Sequence, residues 1–136
     1  MNEKMMTPVP TDAELDILQV LWEKNPETVR YVNEALNKKR EANDKEIGYT
    51  TTLKFMQIML DKGLLKREIV ERSHIYAPAI AQEITQTQVL RGVMDSAFRG
   101  SASSLVLRAL GSGETTPEEL EKIKALIQEM ENKNIY

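Results

Sequence analysis

The stretch from Gly48 to Pro78, GYTTTLKFMQIMLDKGLLKREIVERSHIYAP, narrows the possible folds more than any other part of this chain. Spacing residues at about 100° per position around a helix axis gathers Thr52, Leu53, Phe55, Met56, Met59 and Leu60 on one wide arc. A helix over residues 50–62 must bury that arc. Thr50, Lys54, Gln57 and Asp61 line the opposite side, with Thr51 and Ile58 at its edge. Gly63 supplies a stop, because glycine takes a positive φ at C′ without Cβ strain. Leu65, Arg67 and Ile69 then alternate with Lys66 and Glu68, the period of a strand. A polar turn around Glu71–Arg72–Ser73 leads into a second short strand, His74–Ala77, ended by Pro78. A helix followed by a hairpin, with basic residues on both, is the reading end of a winged helix. Small hydroxyls, a lysine and an amide on the exposed helix face suit base edges and phosphates. A capped surface helix with no ligand carries a similar face, so the neighbours of this stretch have to decide.

Two helices precede it. Thr11-Asp12-Ala13-Glu14 is a capping box, in which the Thr11 hydroxyl takes a backbone N–H and Glu14 reaches back. The helix it opens runs to about Lys24, with Leu15, Ile17, Leu18, Leu21 and Trp22 on one stripe broad enough to centre a small core. Trp22 reads as part of that core, not as a ligand platform. Asn25-Pro26 makes the turn, and Glu27 or Thr28 starts a second helix that buries Val29, Val32, Ala35 and Leu36, leaving Arg30, Asn33 and Lys38 outside. The polar run Asn37–Glu46 is a fraying helix end or a loop. Ile47-Gly48-Tyr49 reads as a third strand joining the ribbon. Residues 1–10, with two prolines and no periodicity, read as a loose arm.

From about Ile80 the pattern is helical again. Leu90, Val93, Met94 and Ala97 form a stripe closed by Phe98, and Arg99-Gly100-Ser101 breaks it. Residues 101–110 resume with Leu105, Val106, Ala109 and Leu110 before the turn Gly111-Ser112-Gly113. Thr116-Pro117-Glu118-Glu119 is a second capping box with proline at N1. Leu120, Ile123, Ile127 and Met130 follow at helical spacing, with Leu126 beside them. A tail of ~55 residues has little with which to cover these stripes. Closing them against a second copy gives an isologous homodimer; packing back on the N-terminal half is the alternative. The dimerisation candidates are Leu90, Val93, Met94, Phe98, Leu105, Leu120, Ile123, Ile127 and Met130. The expected fold is mainly α with a small β-hairpin wing (α+β): a flexible arm over 1–10, a winged-helix DNA-binding domain over 11–78 and a helical dimerisation domain over 79–136.

Composition sets limits on function. The chain has 136 residues, 41% hydrophobic and 29% charged, an ordinary soluble mixture. No run approaches the ~20 apolar residues of a membrane helix, and MNEKMMTPVP lacks the apolar core of a signal peptide, so a cytoplasmic protein without membrane insertion is expected. With no cysteine, disulfides, thiolate metal sites and cysteine nucleophiles are excluded. The net charge of −3 counts against nucleic acid, but local field matters more than the total. Residues 1–80 hold 12 Lys+Arg and 13 Asp+Glu, and Lys38, Lys39, Arg40, Lys45, Lys54, Lys66, Arg67 and Arg72 cluster around the reading helix in sequence. DNA binding of modest affinity and steep salt dependence follows. His74, the one histidine, sits on a short apolar strand with no nucleophile motif around it. The chain is therefore expected to have no catalytic residue, no metal site and no cofactor, and not to be an enzyme.

In this order, PTDAELDILQVLW, ETVRYVNEAL, YTTTLKFMQIMLDKGLL, IYAP, FRGSASSLVLRAL and PEELEKIKALI resemble the penicillinase-repressor family (BlaI/MecI type) over about residues 10–131. The YTT…DKGLL block is the most specific part. The resemblance implies an N-terminal winged helix, a C-terminal helical dimerisation domain and transcriptional repression through a palindromic double-stranded DNA operator. It implies DNA contacts at Thr50, Thr51, Lys54 and Arg72; Tyr49, Gln57, Lys66 and Arg67 complete the candidate set. It also implies inactivation by a membrane-bound sensor protease that cuts before the phenylalanine of F-x-G-S, here the Ala97–Phe98 bond. Four departures stand out. Thr52 takes the place of a frequent valine, a near-isosteric change at an inward position. Lys54 replaces a common threonine and Ile58 a common arginine, which alters the contacts available for an operator. Ala97 stands where the best-known cleaved members have asparagine. The copper-responsive branch uses C-terminal cysteines, absent here. The competing readings are a ligand- or metal-sensing regulator on the same scaffold and a winged-helix module for protein assembly.

Overall fold

A computed structural model describes residues 8–134; the arm expected over residues 1–10 falls outside them as far as residue 7. The chain divides into two compact units, Met1–Leu90 and Arg91–Tyr136.

The first unit begins with α1 (Asp12–Glu23), opened by the expected capping box: the Thr11 hydroxyl accepts from Glu14 N, and Glu14 Oε1 accepts from Thr11 N at 2.9 Å. Asn25 ends this helix by donating its side-chain amide to the Leu21 carbonyl, ahead of a cis Asn25–Pro26 bond. Thr28 is the cap of α2 (Val29–Lys38). A loop over residues 39–48 leads to α3 (Tyr49–Lys62), which stops at Gly63 with φ 86°. There the amide of Leu64 bonds the Met59 carbonyl and that of Gly63 the Leu60 carbonyl, satisfying two carbonyls of the last turn. Two antiparallel strands follow, β1 (Leu65–Val70) and β2 (Ser73–Pro78), with Arg67 opposite Tyr76 and Val70 opposite Ser73. The two residues between them, Glu71 and Arg72, both have positive φ, as the mirror-image turn that matches hairpin twist requires.

The core forms where α1, α2, α3 and the strand roots meet. Ile17, Leu18, Leu21, Val32, Met56, Met59, Leu64 and Tyr76 are its most enclosed side chains, each stabilising the fold by about 1.5–3 kcal/mol relative to exposure. On α3 the buried positions are Thr52, Met56 and Met59, with Leu53, Phe55 and Leu60 half-buried, as the helical spacing predicts.

Two expectations for this unit are corrected. Ile47-Gly48-Tyr49 is not a strand: Gly48 is the cap of α3, and both backbone polar groups of Ile47 bond side-chain amides of α2. The extra strand-like pairing goes to Glu27, whose N–H and carbonyl bond Tyr76 at 2.9 and 2.8 Å. Asn33 does not lie outside; it is half-buried and bonded to α3. Leu65 and Ile69 take the same face of β1, but Leu65 is buried and Ile69 is 65% exposed, because the hairpin runs past the edge of the core.

The division between the units falls inside α4 (Gln82–Ala97). Arg99 and Gly100, both with positive φ, break the chain as expected. Then come α5 (Ala102–Gly111), capped by Ser101, and α6 (Pro117–Lys133), opened by the Thr116–Glu119 capping box with Pro117 in its first turn. Among the described residues of the second unit not one is buried: Met94, Phe98, Leu105, Ile123 and Met130 are half-covered, while Val93, Leu120 and Ile127 are exposed. No helix among the described residues is long and apolar enough to cross a membrane.

Candidate nucleic-acid interface

The exposed side of α3 carries Tyr49, Thr50, Thr51, Lys54 and Gln57, all open to solvent. A surface groove of about 450 Å³ separates this helix from the hairpin. Tyr49 and Gln57 line it from α3, and Arg67, Arg72, Ser73 and His74 from the hairpin. Arg30 and Thr28 close it from the start of α2.

Strand alternation explains which hairpin residues reach the groove. Arg67 pairs with Tyr76 and so shares the inner face of the ribbon with Leu65, His74 and Tyr76. Lys66 points to the other face, where it borders a separate hollow with Pro26 and Ile75. The candidates therefore fall into three places. Tyr49, Gln57, Arg67 and Arg72 share the groove; Thr50, Thr51 and Lys54 project from the helix beyond it; Lys66 stands apart.

Among the described residues lining the groove, Arg30, Arg67 and Arg72 are basic and none is acidic. A chain of net charge −3 thus still presents a locally positive surface, the feature that attracts a phosphate backbone. Thr28, Arg30, Ser73 and His74 line the groove but are not among the residues expected from the sequence. His74 was within reach, since it lies two positions before the buried Tyr76 on the same strand face. Arg30 was not, because its place depends on how α2 packs against α3.

The most shielded acid of this unit lies away from the groove. Glu14 is 2% exposed, and its Oε2 accepts from Lys62 Nζ at 2.8 Å, tying the end of α3 to the start of α1. Burial pushes its carboxyl up, but the bonds from Lys62 and from the Thr11 amide outweigh that and hold it below the ordinary glutamate value.

At the root of the reading helix lies a polar cluster. Asn33 Nδ2 donates to the Ile47 carbonyl at 3.0 Å and to the Thr52 hydroxyl at 2.9 Å. Asn37 donates to the same carbonyl at 3.0 Å and accepts from Ile47 N at 2.8 Å. Thr52, 1% exposed, is therefore more than a tolerated stand-in for valine: its hydroxyl has a partner.

Residues 10–129 match the model of the family described as penicillinase repressor. A penicillinase repressor of Staphylococcus aureus is 22% identical over 121 residues, which is 89% of this chain and 92% of the relative. The transcriptional regulator BlaI of Mycobacterium tuberculosis is 30% identical over 94 residues, 68% of this chain and 62% of that protein. Among solved structures, the monomeric form of Bacillus licheniformis BlaI in complex with the blaP half-operator is similar with a TM-score of 0.48 and 23% identity, over 57% of this chain and 89% of that one.

Proposed function

The chain belongs to the penicillinase repressor family, and from that premise we propose that it represses transcription in the cytoplasm as a homodimer bound to a palindromic operator. It is a DNA-binding transcriptional repressor. The observation that carries the reading of its interface is the open face of α3 beside a groove with three arginines and no acidic residue among those described. In it, Thr50, Thr51 and Lys54 meet base edges in the major groove, while Arg30, Arg67 and Arg72 meet the flanking phosphates. Lys66, on the far face of the hairpin, contributes only long-range attraction.

Dimerisation through residues 79–136 is supported by the second unit, which buries none of its described side chains. Half-covered Met94, Phe98, Leu105, Ile123 and Met130, with exposed Leu90, Val93, Leu120 and Ile127, supply the apolar surface that a second copy covers. Release comes by cleavage of the Ala97–Phe98 bond by a membrane-bound sensor protease. Support for that bond is its position: Ala97 is exposed at the last residue of α4, just ahead of the left-handed pair Arg99–Gly100.

The test is a gel shift on DNA from upstream of the gene, run across a range of salt. A sequence-preferring complex whose affinity falls steeply with salt supports the reading. Absence of any preference between that DNA and an unrelated duplex overturns it.

A further inference from the structure

We propose that Asn33 and Asn37 are positioning residues for the DNA-reading helix, acting as a side-chain clamp across the start of a helix that has no side-chain cap. The proposal rests on the DNA reading given above. Helices α1, α2, α5 and α6 each open on a serine or threonine whose hydroxyl accepts a backbone N–H. Helix α3 opens on Gly48, which offers no side chain. The loop before it is mostly polar and is exposed over residues 39–46.

What holds the helix start comes instead from α2. Asn37 bonds both the N–H and the carbonyl of Ile47, as a neighbouring strand would. Asn33 spans the cap, one amide nitrogen donating to the Ile47 carbonyl on one side of Gly48 and to the Thr52 hydroxyl on the other. The two asparagines also meet each other at 3.5 Å. Apolar residues at 33 and 37 could pack in their place, but the polar groups of Ile47 would then lose these partners.

Thr50 and Thr51 lie between the two clamped points, so the clamp sets their height and rotation relative to the body of the unit. Hydrogen bonds to base edges tolerate only a few tenths of an ångström. Attraction to phosphates acts over the Debye length, about 8–10 Å in ordinary salt. Loosening the clamp should therefore erode sequence discrimination while leaving general DNA affinity in place. A merely stabilising role would lower both together through the unfolded fraction.

The experiment uses the full chain and two duplexes of equal length, one selected from a random library by the wild-type protein and one unrelated. Asn37→Ala should lower the ratio of the two affinities by about tenfold or more, with the unrelated duplex and its salt slope unchanged. Thr52→Val, which keeps the volume and removes one bond, should lower the ratio less, and Thr52→Ser should restore it. Hydrogen exchange on the free protein gives a direct readout. In Asn37→Ala the amides of Ile47 and Thr52 should exchange faster by roughly tenfold, with Met56–Leu60 unaffected. A ratio within about twofold of wild type in Thr52→Val and Asn37→Ala, with unaltered exchange, overturns the clamp. If Asn37→Ala does not fold, Thr52→Val carries the comparison alone. If the wild-type selection yields no common sequence, the DNA reading fails, and the exchange data still decide whether the clamp exists.

Discussion

Replacing Lys62 with methionine should destabilise the N-terminal unit by ~2 kcal/mol near neutral pH, in a way that disappears in acid. The carboxylate of Glu14 is almost fully enclosed and has two recorded donors, Lys62 Nζ and the Thr11 amide. Removing one partner of a buried pair costs about 3–5 kcal/mol, because the other charge is left behind. The Lys62 side chain is 38% exposed, so solvent already screens part of its attraction, and the figure is reduced accordingly. In a unit of this size, ~2 kcal/mol lowers Tm by about 10 °C. The sign of the pH effect follows from the direction of the shift. The folded carboxyl titrates below the ordinary value of 4.5, so its stabilisation is present above that value and is lost as pH falls through the folded pKa. The gap between wild type and Lys62→Met should therefore narrow below pH 4.5. Glu14→Gln removes the charge but keeps an oxygen for the Thr11 amide, so the double variant should be more stable than Lys62→Met alone. Urea unfolding followed by fluorescence of Trp22, the one tryptophan, reads this unit directly. A Lys62→Met loss below about 0.5 kcal/mol, or a gap equal at neutral and acid pH, would refute the argument.

Three further outcomes are expected. Lys54→Ala should weaken operator binding by ~1–3 kcal/mol and relax preference at one base pair if the lysine meets a base edge; in a phosphate contact it should instead reduce the salt slope by about one, and wild-type behaviour in both respects would exclude this orientation of α3. Asp61, at the far end of the helix, should matter little. Ile123→Asp with Ile127→Asp places charge in the apolar stripe of α6, and sedimentation should then give a monomer; a dimer at micromolar concentration would move the interface elsewhere. Protein isolated from cells given a cell-wall antibiotic should contain a fragment beginning at Phe98, with the operator vacated, whereas derepression with an intact chain would point to a bound effector.

Local chemistry accounts for what could be read from the sequence. The capping boxes at Thr11 and Thr116, the stop at Gly63 and the break at Arg99–Gly100 each depend on residues within one turn of each other, so spacing alone finds them. The inward arc of α3 was legible for the same reason, and with it the outward set Thr50, Thr51, Lys54 and Gln57. What escaped depends on partners far along the chain. Ile47 looks like a strand residue because it is apolar and precedes a glycine, but its bonds go to Asn33 and Asn37, 14 and 10 residues earlier. Glu14 carries a capping signature, and nothing nearby reveals a lysine 48 residues away. Arg30 joins Arg67 and Arg72 only through packing of α2 against α3. The exposure of Ile69 was not legible either, since a period tells which face a side chain takes but not where the core beneath that face ends.

The bare second unit has a consequence for control. In the proposed homodimer, a segment that encloses none of its described side chains gains further apolar stabilisation when two copies meet, so folding of that segment and pairing of the chains are linked. If the dimer is the operator-binding form, as proposed, operator-competent protein grows with the square of the free monomer concentration at low copy number. Small changes in synthesis or cleavage rate shift promoter occupancy more than proportionally. Under the proposed cleavage, removing half of the chains would cut the dimer to about a quarter at low copy number.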